Sequence, residues 1–281
     1  MSDIKLFQIH NNQVQELEGR SVAVEKSLQT LIEKHMEIFL GIRFLASEYS
    51  TGKVHGGRID SLGIDENGYP VIVEYKRALN ENVINQGLYY LDWLMDHKGE
   101  FTLLVMNKFS SEVSEAIEWS NPRLICIAGD FTKYDEYAVQ QINRNIELFR
   151  YRRYGENLLL LELANATTTE SSNHVPDVKP TKKPRASDRT VSYYLSLANP
   201  KLKDLYESLK AFLLALDDDV QFKVLKNYFA FKRIRNFVCV EIYTRESKLL
   251  VFVKVNPDTI EIKPGFTRDV REIGHFGTGD L

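Results

Sequence analysis

The feature that most constrains this chain is a charged pair at the end of an apolar run. Tyr69-Pro70-Val71-Ile72-Val73 leads without interruption into Glu74-Tyr75-Lys76. A short, β-branched run bounded by turn residues predicts a buried strand over residues 69–75. Asp65-Glu66-Asn67-Gly68 ahead of it is a tight-turn signal, because Asn and Gly tolerate positive φ. Residues 58–64 suit the partner strand. Alternate side chains of a strand share a face, so Glu74 and Lys76 point the same way. With a three-residue loop Asp60 falls opposite Glu74; a loop longer or shorter by one sets it beside a neighbouring position. Opposed residues have Cβ atoms about 5 Å apart, so two carboxylates and an ammonium converge.

That grouping has a chemical use. Mg²⁺ takes one or two carboxylates and completes its shell with water and substrate phosphate. A lysine beside it stabilises charge growing on a transferred phosphoryl group. The plain alternative is a surface hairpin carrying an exposed ion pair; against it stands the apolar run that the charges follow. A helix is expected over residues 81–96, with Asn80 as N-cap and Gly99 as terminator. On it Gln86 and Tyr90 are i, i+4 neighbours, while Leu88, Leu91 and Met95 form a separate apolar stripe.

Asp60…Glu74-Tyr75-Lys76 resembles the signature of the PD-(D/E)XK nuclease superfamily. Gln86-Gly87-Leu88-Tyr89-Tyr90 resembles the Gln-x-x-x-Tyr element of several of its branches. The wording His55-Gly56-Gly57-Arg58-Ile59-Asp60 is similar to the branch containing the endonuclease NucS, with Ile59 where the superfamily name has Pro. The resemblance covers roughly residues 20–165. It implies a restriction-endonuclease-like mixed sheet flanked by helices, an α/β (α+β) fold. It further implies a Mg²⁺- or Mn²⁺-dependent endonuclease hydrolysing DNA, in repair or in defence against foreign DNA. On this resemblance Asp60, Glu74, Lys76, Gln86 and Tyr90 are catalytic, Asp60 and Glu74 hold the metal with Glu25 from the first helix, and His55 and Arg58 face the nucleic acid. The competing expectation is a non-catalytic nucleic-acid or protein-binding module that keeps the nuclease fold.

Charge bears on that choice. Residues 1–165 carry 17 Lys and Arg against 24 Asp and Glu, a net −7; residues 166–281 carry 19 against 15, a net +4. DNA contact in the first half must therefore come from local basic patches or bound metal. Arg150-Tyr151-Arg152-Arg153-Tyr154 is one candidate patch, able to track a phosphate backbone and stack on bases; it equally suits an edge strand protected by charge. No apolar run approaches the ~18 residues of a membrane helix, and residues 1–12 lack the apolar core of a signal peptide. Cys126 and Cys239 each lie within an apolar run and read as buried thiols, which points to a reducing cytoplasm.

The rest of the chain organises around this core. Residues 4–18 read as a strand pair turning at Asn11-Asn12. Residues 21–40 read as one helix capped by Ser21, with Val24, Leu28, Leu31, Ile32, Met36 and Phe39 at helical spacing. The segment 51–57 is Gly-rich, suited to a flexible loop or to close phosphate approach. Residues 101–106 are expected as a strand, 111–119 as a helix and 124–128 as a strand, giving a parallel right-handed crossover. A helix over 135–143 and a strand pair over 146–154 and 158–163 follow. Residues 166–190, rich in Ser, Thr, Pro and Lys, form an expected linker; its Lys179, Lys182, Lys183 and Arg185 suit DNA contact or simple solvation.

Residues 191–281 are a second, smaller α+β domain. A helix opens at Asn199-Pro200, and strands are expected over 222–225, 228–232, 237–243 and 248–255. It resembles a domain of unassigned role often found behind such nucleases and sometimes labelled a transport protein, though no membrane span accompanies it. Its end reads as cut just before a strand. Asp217-Asp218-Asp219 suits a cation or an acidic helix end. A homodimer would suit cleavage of both DNA strands. Because residues 166–190 cannot bury a face, limited proteolysis should cut there first and leave two stable fragments. Mass spectrometry of the fragments checks this, and a first cut within residues 56–95 would refute the boundaries.

Overall fold

The structure is a computed structural model that describes residues 4–20, 25–76, 83–167, 190–217 and 219–281. The chain forms two compact units, residues 1–169 and 170–281. The expected caps Ser21 and Asn80, and most of the expected linker, lie outside the described residues.

The first unit begins with a hairpin of β1 (Leu6–His10) and β2 (Gln13–Leu17), turning at Asn11 and Asn12, which both take positive φ. There follow β3 (Gly19–Arg20), α1 (Glu25–Lys34), α2 (Met36–Leu40), β4 (Ile42–Ser50), α3 (Gly52–His55), β5 (Arg58–Asp65) and β6 (Pro70–Lys76). Then come α4 (Val83–Asp96), α5 (Lys98–Lys108), α6 (Ser111–Glu115), β7 (Arg123–Ala128), α7 (Lys133–Gln140), β8 (Asn145–Tyr154) and β9 (Leu158–Thr167). One mixed sheet runs in the order β3-β8-β7-β6-β5-β4, with β9 paired to β8. Strand β5 runs antiparallel to both its neighbours, β4 and β6, whereas β6, β7 and β8 are parallel.

Every residue of β7 and all but the last of β6 are buried, as expected of parallel strands covered on both faces. On one face Leu62, Ile72, Leu124, Cys126 and Leu148 pack with Leu91, Trp93 and Leu94 of α4 and with Phe101 and Val105 of α5. The alternating residues Val71, Val73, Tyr75, Ile125 and Ile127 are equally buried on the other face, and α1 packs against β5 and β6.

Several expectations about the helices fail. Residues 101–106 form the middle of α5, not a strand. Phe101 and Val105, four apart, are buried while Leu103 and Met106 are exposed, so burial follows the helical period. Gly99 accordingly lies inside α5 and ends nothing; α4 gives way to α5 at His97. The parallel crossover from β6 to β7 is made by α4, α5 and α6, and α6 ends at Glu115. The single helix expected over 21–40 is broken at His35 (φ −128°, ψ 30°), and α2 ends on the left-handed Gly41.

The second unit has α8 (Val191–Leu197), α9 (Pro200–Leu214) and an antiparallel sheet of β10 (Gln221–Val224), β11 (Phe229–Lys232), β12 (Asn236–Tyr243) and β13 (Lys248–Val253). Asn199 caps α9 by accepting from Leu202 N–H (2.8 Å). Leu202, Tyr206 and Leu213 pack with Phe229, Phe231, Val238 and Val240. Both cysteines are free and buried. Asp217 and Asp219 pair with Arg233 (3.1 and 3.6 Å). Among the described residues, no helix is long and apolar enough to cross a membrane.

A buried charge triad joins the two halves of the first sheet. Arg123, at the start of β7, donates Nε and Nη2 to the two oxygens of Glu147 on β8 (both 2.9 Å), and Nη1 to Asp65 Oδ2 (2.9 Å). The three side chains are 3%, 1% and 0% exposed. Asp65 Oδ1 also accepts from Asn67 and Tyr69 N–H (both 2.9 Å), so the same carboxylate closes the β5–β6 turn. Arg123→Met should lower unfolding stability by about 3–5 kcal/mol, because two carboxylates stay buried without their cation. Urea denaturation measures this, and a loss under about 1 kcal/mol, the range of an exposed pair, would show the triad to be dispensable.

Candidate functional site

The β5–β6 loop is the three-residue Glu66-Asn67-Gly68, closed by Asp65 N–H donating to Tyr69 O (2.9 Å), with Gly68 at φ 85°. The register pairs Ile64 with Pro70 and Ser61 with Val73, and its next step sets Asp60 opposite Glu74. There the backbone ladder stops and the carboxylates replace it. Asp60 N–H donates to Glu74 Oε1 (3.1 Å), and Tyr75 N–H donates to Asp60 Oδ2 (2.9 Å). Each strand's acid takes up a backbone donor that the parting strands would otherwise leave unpaired.

Glu74 is fully buried, and its Oε2 has no hydrogen-bond partner. Burial, followed by the nearby Asp60 charge, pushes its carboxyl up to about 9. Burial also raises Asp60, opposed by the Tyr75 N–H and by Lys76. Lys76 closes β6, and its charge favours the ionised form of both acids. A buried carboxylate oxygen without a donor, beside a second carboxylate, fits an oxygen-seeking divalent cation held by one or two protein ligands. Among the described residues, no group of three or more His, Cys, Asp and Glu side chains is arranged to hold a metal. Glu25 opens α1, but its side chain lies outside the described part.

Gln86 and Tyr90 face the start of β5. Gln86 Nε2 donates to Tyr90 Oη (3.2 Å), which also accepts from Arg58 N–H (3.2 Å). Gly57 is needed here: a Cβ at that position would lie 2.6 Å from Tyr90 Oη. The Gly-rich approach is thus not an open loop. It forms the short α3, ends at Gly56 in the left-handed region, and is gripped by Tyr90. His55 sits with its ring 5.0 Å from that of Tyr89 and 5.9 Å from that of His97. The Arg58 side chain is 70% exposed, with Nε 3.8 Å from Glu48 Oε2.

The basic and aromatic run on β8 is laid out differently from either expectation. Strand β8 is interior, paired with β7, β9 and β3, so it is no edge. Tyr151 and Tyr154 are buried and offer no face to a base. Arg150 gives its guanidinium to Asp130 (2.7 Å) and Glu136. Arg153 donates to Glu156 O (3.3 Å), and Arg152 and Arg153 are half-buried.

Residues that the sequence reading passed over also converge here. Gln29 of α1, 3% exposed, donates Nε2 to Asp60 O (2.8 Å) and to Glu33 Oε1 (2.9 Å). Glu33 in turn accepts from Ser61 Oγ (2.6 Å). Lys26, Gln29 and Glu33 lie three and four residues apart, a polar stripe on one face of α1, and that spacing was visible in the sequence.

Residues 191–281 match the family model described as a domain of unknown function, DUF5655. An "Uncharacterized protein" of Haemophilus influenzae is 26% identical over 288 residues, covering 99% of this chain and 92% of its own length. Among solved structures, a repair endonuclease from Pyrococcus abyssi matches 47% of this chain at 20% identity and a TM-score of 0.31. An EndoMS–dsDNA complex matches 47% at 18% identity and a TM-score of 0.27. The matches span 48% and 47% of those two chains, about half their length.

The raised Glu74 carboxyl makes stability depend on pH. The folded state holds the proton up to about 9, whereas the unfolded chain releases it near 4.5. The protonated group's contribution is therefore complete below pH 4.5 and is lost as pH rises toward 9. In chelator, Glu74→Gln should gain on the wild type across that interval, by at most about 1.4 kcal/mol per pH unit. Ca²⁺ should narrow the gap by favouring the ionised acid. Thermal melts in a pH series check both, and a constant gap would refute the assignment.

Proposed function

We propose that the first unit is a divalent-metal-dependent nuclease that hydrolyses phosphodiester bonds in DNA. The observation that carries this reading is Glu74: fully buried, one oxygen without a partner, next to Asp60 and two residues before Lys76 at the point where the strands part. A carboxylate kept in that state is costly unless a cation compensates it. Asp60 and Glu74 would hold Mg²⁺ or Mn²⁺. Such an ion, when bound, polarises a phosphoryl oxygen and acidifies water. The direction toward DNA comes from the likeness of Asp60…Glu74-Tyr75-Lys76 and Gln86…Tyr90 to the PD-(D/E)XK signature.

The protein's own groups divide the work. Water adds to phosphorus and the bridging P–O bond breaks; Lys76 stabilises the negative charge that grows on the phosphoryl oxygens. Glu74 stands ionised or protonated according to the cation beside it. Gln86 and Tyr90 fix the Gly57–Arg58 backbone, and Gln29 fixes the Asp60 carbonyl, so that Asp60 is presented at one place. We place the protein in the cytoplasm, and a homodimer would bring two such sites to the two strands of a duplex.

Incubation with duplex and single-stranded DNA, with Mn²⁺, Mg²⁺ or chelator, tests the reading. Cleavage should require the cation. Lys76→Ala should lower it by about 10²–10³ while affinity in Ca²⁺ changes little, because the lysine acts mainly on the transition state. Cleavage unchanged by the substitution would remove the mechanism. Binding of DNA without cleavage under any cation would favour the competing reading, the non-catalytic module.

A further inference from the structure

Strand β4 carries a local irregularity that points at the site. Ile42 pairs with Asp65 and Phe44 with Gly63, but Ala46 pairs with Leu62, a one-residue register shift between Phe44 and Ala46. Without the shift Glu48 would face Ile59. With it, Ser47 pairs with Ser61 and Tyr49 with Ile59, so Glu48 stands opposite Asp60. Bulges of this kind re-aim side chains and recur beside active sites. Among the described residues, Glu48 is also one of four non-glycine positions at positive φ (51°). That conformation costs about 1–2 kcal/mol and persists only where the surroundings impose it.

In that conformation the Glu48 side chain meets two cations. Glu48 Oε1 accepts from Lys26 Nζ at 2.8 Å, and Oε2 lies 3.8 Å from Arg58 Nε. Lys26 is tied a second time, donating to Gln29 Oε1 (3.3 Å), and that same Gln29 holds the Asp60 carbonyl. Lys26 comes from α1, Glu48 from β4 and Arg58 from β5, so three elements place two positive charges on one acid. Their side chains remain 58% and 70% exposed, open to a ligand.

Exposed ion pairs contribute little to stability, so fold stability does not account for a strained backbone and a register shift spent on this one. We infer that Lys26 and Arg58, set by Glu48, form a clamp for a backbone phosphate of the nucleic acid, next to the phosphate that meets Asp60, Glu74 and Lys76. This rests on the nuclease reading. The ammonium and the guanidinium fork suit phosphate oxygens, and a divalent ion on Asp60 and Glu74 would offset the acids that also surround Lys26. It is the kind of local basic patch that an otherwise acidic segment requires.

Binding of short duplexes in Ca²⁺, measured between about 50 and 200 mM salt, tests the clamp. The double variant Lys26→Ala/Arg58→Ala should reduce the slope of log affinity against log salt by about one unit, equally for unrelated sequences. Lys26→Gln/Arg58→Gln, which keeps side-chain length, should do the same, and both variants should melt near the wild type. Glu48→Gln keeps both cations and should keep the wild-type slope. An unchanged slope in the double variants, or an equal loss in Glu48→Gln, would overturn the clamp. Wild-type cleavage in Mn²⁺ is scored in parallel. Cleavage with an unchanged slope sinks the clamp alone, a reduced slope without cleavage sinks the nuclease reading alone, and neither binding nor cleavage by the wild type sinks both.

Discussion

The first unit depends on a guanidinium buried between two carboxylates. Its sheet is half antiparallel meander and half parallel, and the halves obey different rules of connection. Arg123 binds Glu147 across the parallel pair and Asp65 at the hairpin turn. The turn conformation fixes the register of β5 on β6, and a slip by one residue would turn every side chain of a strand to the opposite face. The distance in space between Arg123 and Asp60 therefore matters less than their linkage through register. The triad holds the turn, and the turn sets Asp60 opposite Glu74. Such buried charge clusters add little net stability against apolar replacements, but they make alternative pairings costly.

Register is then used against stability. At Asp60 and Glu74 the sheet gives up its ladder and pairs backbone donors with carboxylates. Glu74 is left with one unsatisfied oxygen and a carboxyl raised to about 9. Around that point sit the Gly57 approach to Tyr90, the strained Glu48 and the buried Gln29. Departures from local rules that share one neighbourhood mark a site better than any one of them does alone. The surrounding apolar layers, with Leu62, Ile72, Leu124 and Cys126 all below 1% exposure, carry the stability that the site forgoes.

How much of this the sequence displayed follows from the range of each interaction. The hairpin was legible because its turn chemistry and the run Val71-Ile72-Val73 are local, and both act within a few residues. The second unit's helix cap at Asn199 and its four strands were legible for the same reason. Residues 101–106 were not: an apolar run of that length suits either period, and only the partners of Phe101 and Val105 decide between them. The break at His35 depends on how α1 and α2 meet the sheet. Glu48 was invisible because its place opposite Asp60 comes from a register shift between two strands, which no spacing within β4 reveals. The β8 arginines misled because a basic and aromatic run looks the same whether its tyrosines face solvent or core, and here Tyr151 and Tyr154 face the core.

The acidic balance of the first unit now has a physical place in the proposed reading. A net −7 over residues 1–165 repels a polyanion at long range, but salt screens charges beyond about 8–10 Å near physiological ionic strength. Contact is decided inside that distance. There α1, β5 and β6 bring Lys26, Arg58 and Lys76 to the site, while much of the carboxylate charge elsewhere is committed. Asp65 and Glu147 are bound to Arg123, Asp130 and Glu136 to Arg150, and Glu74 retains its proton until a cation displaces it. Binding of a divalent ion between Asp60 and Glu74 would offset the negative charge of both acids at the site. In this scheme the nucleic acid and the cation assist each other, since each lowers the repulsion the other meets. An acidic domain with these cations beside its metal ligands would then engage DNA chiefly when the metal is in place, which confines engagement to the state competent for chemistry.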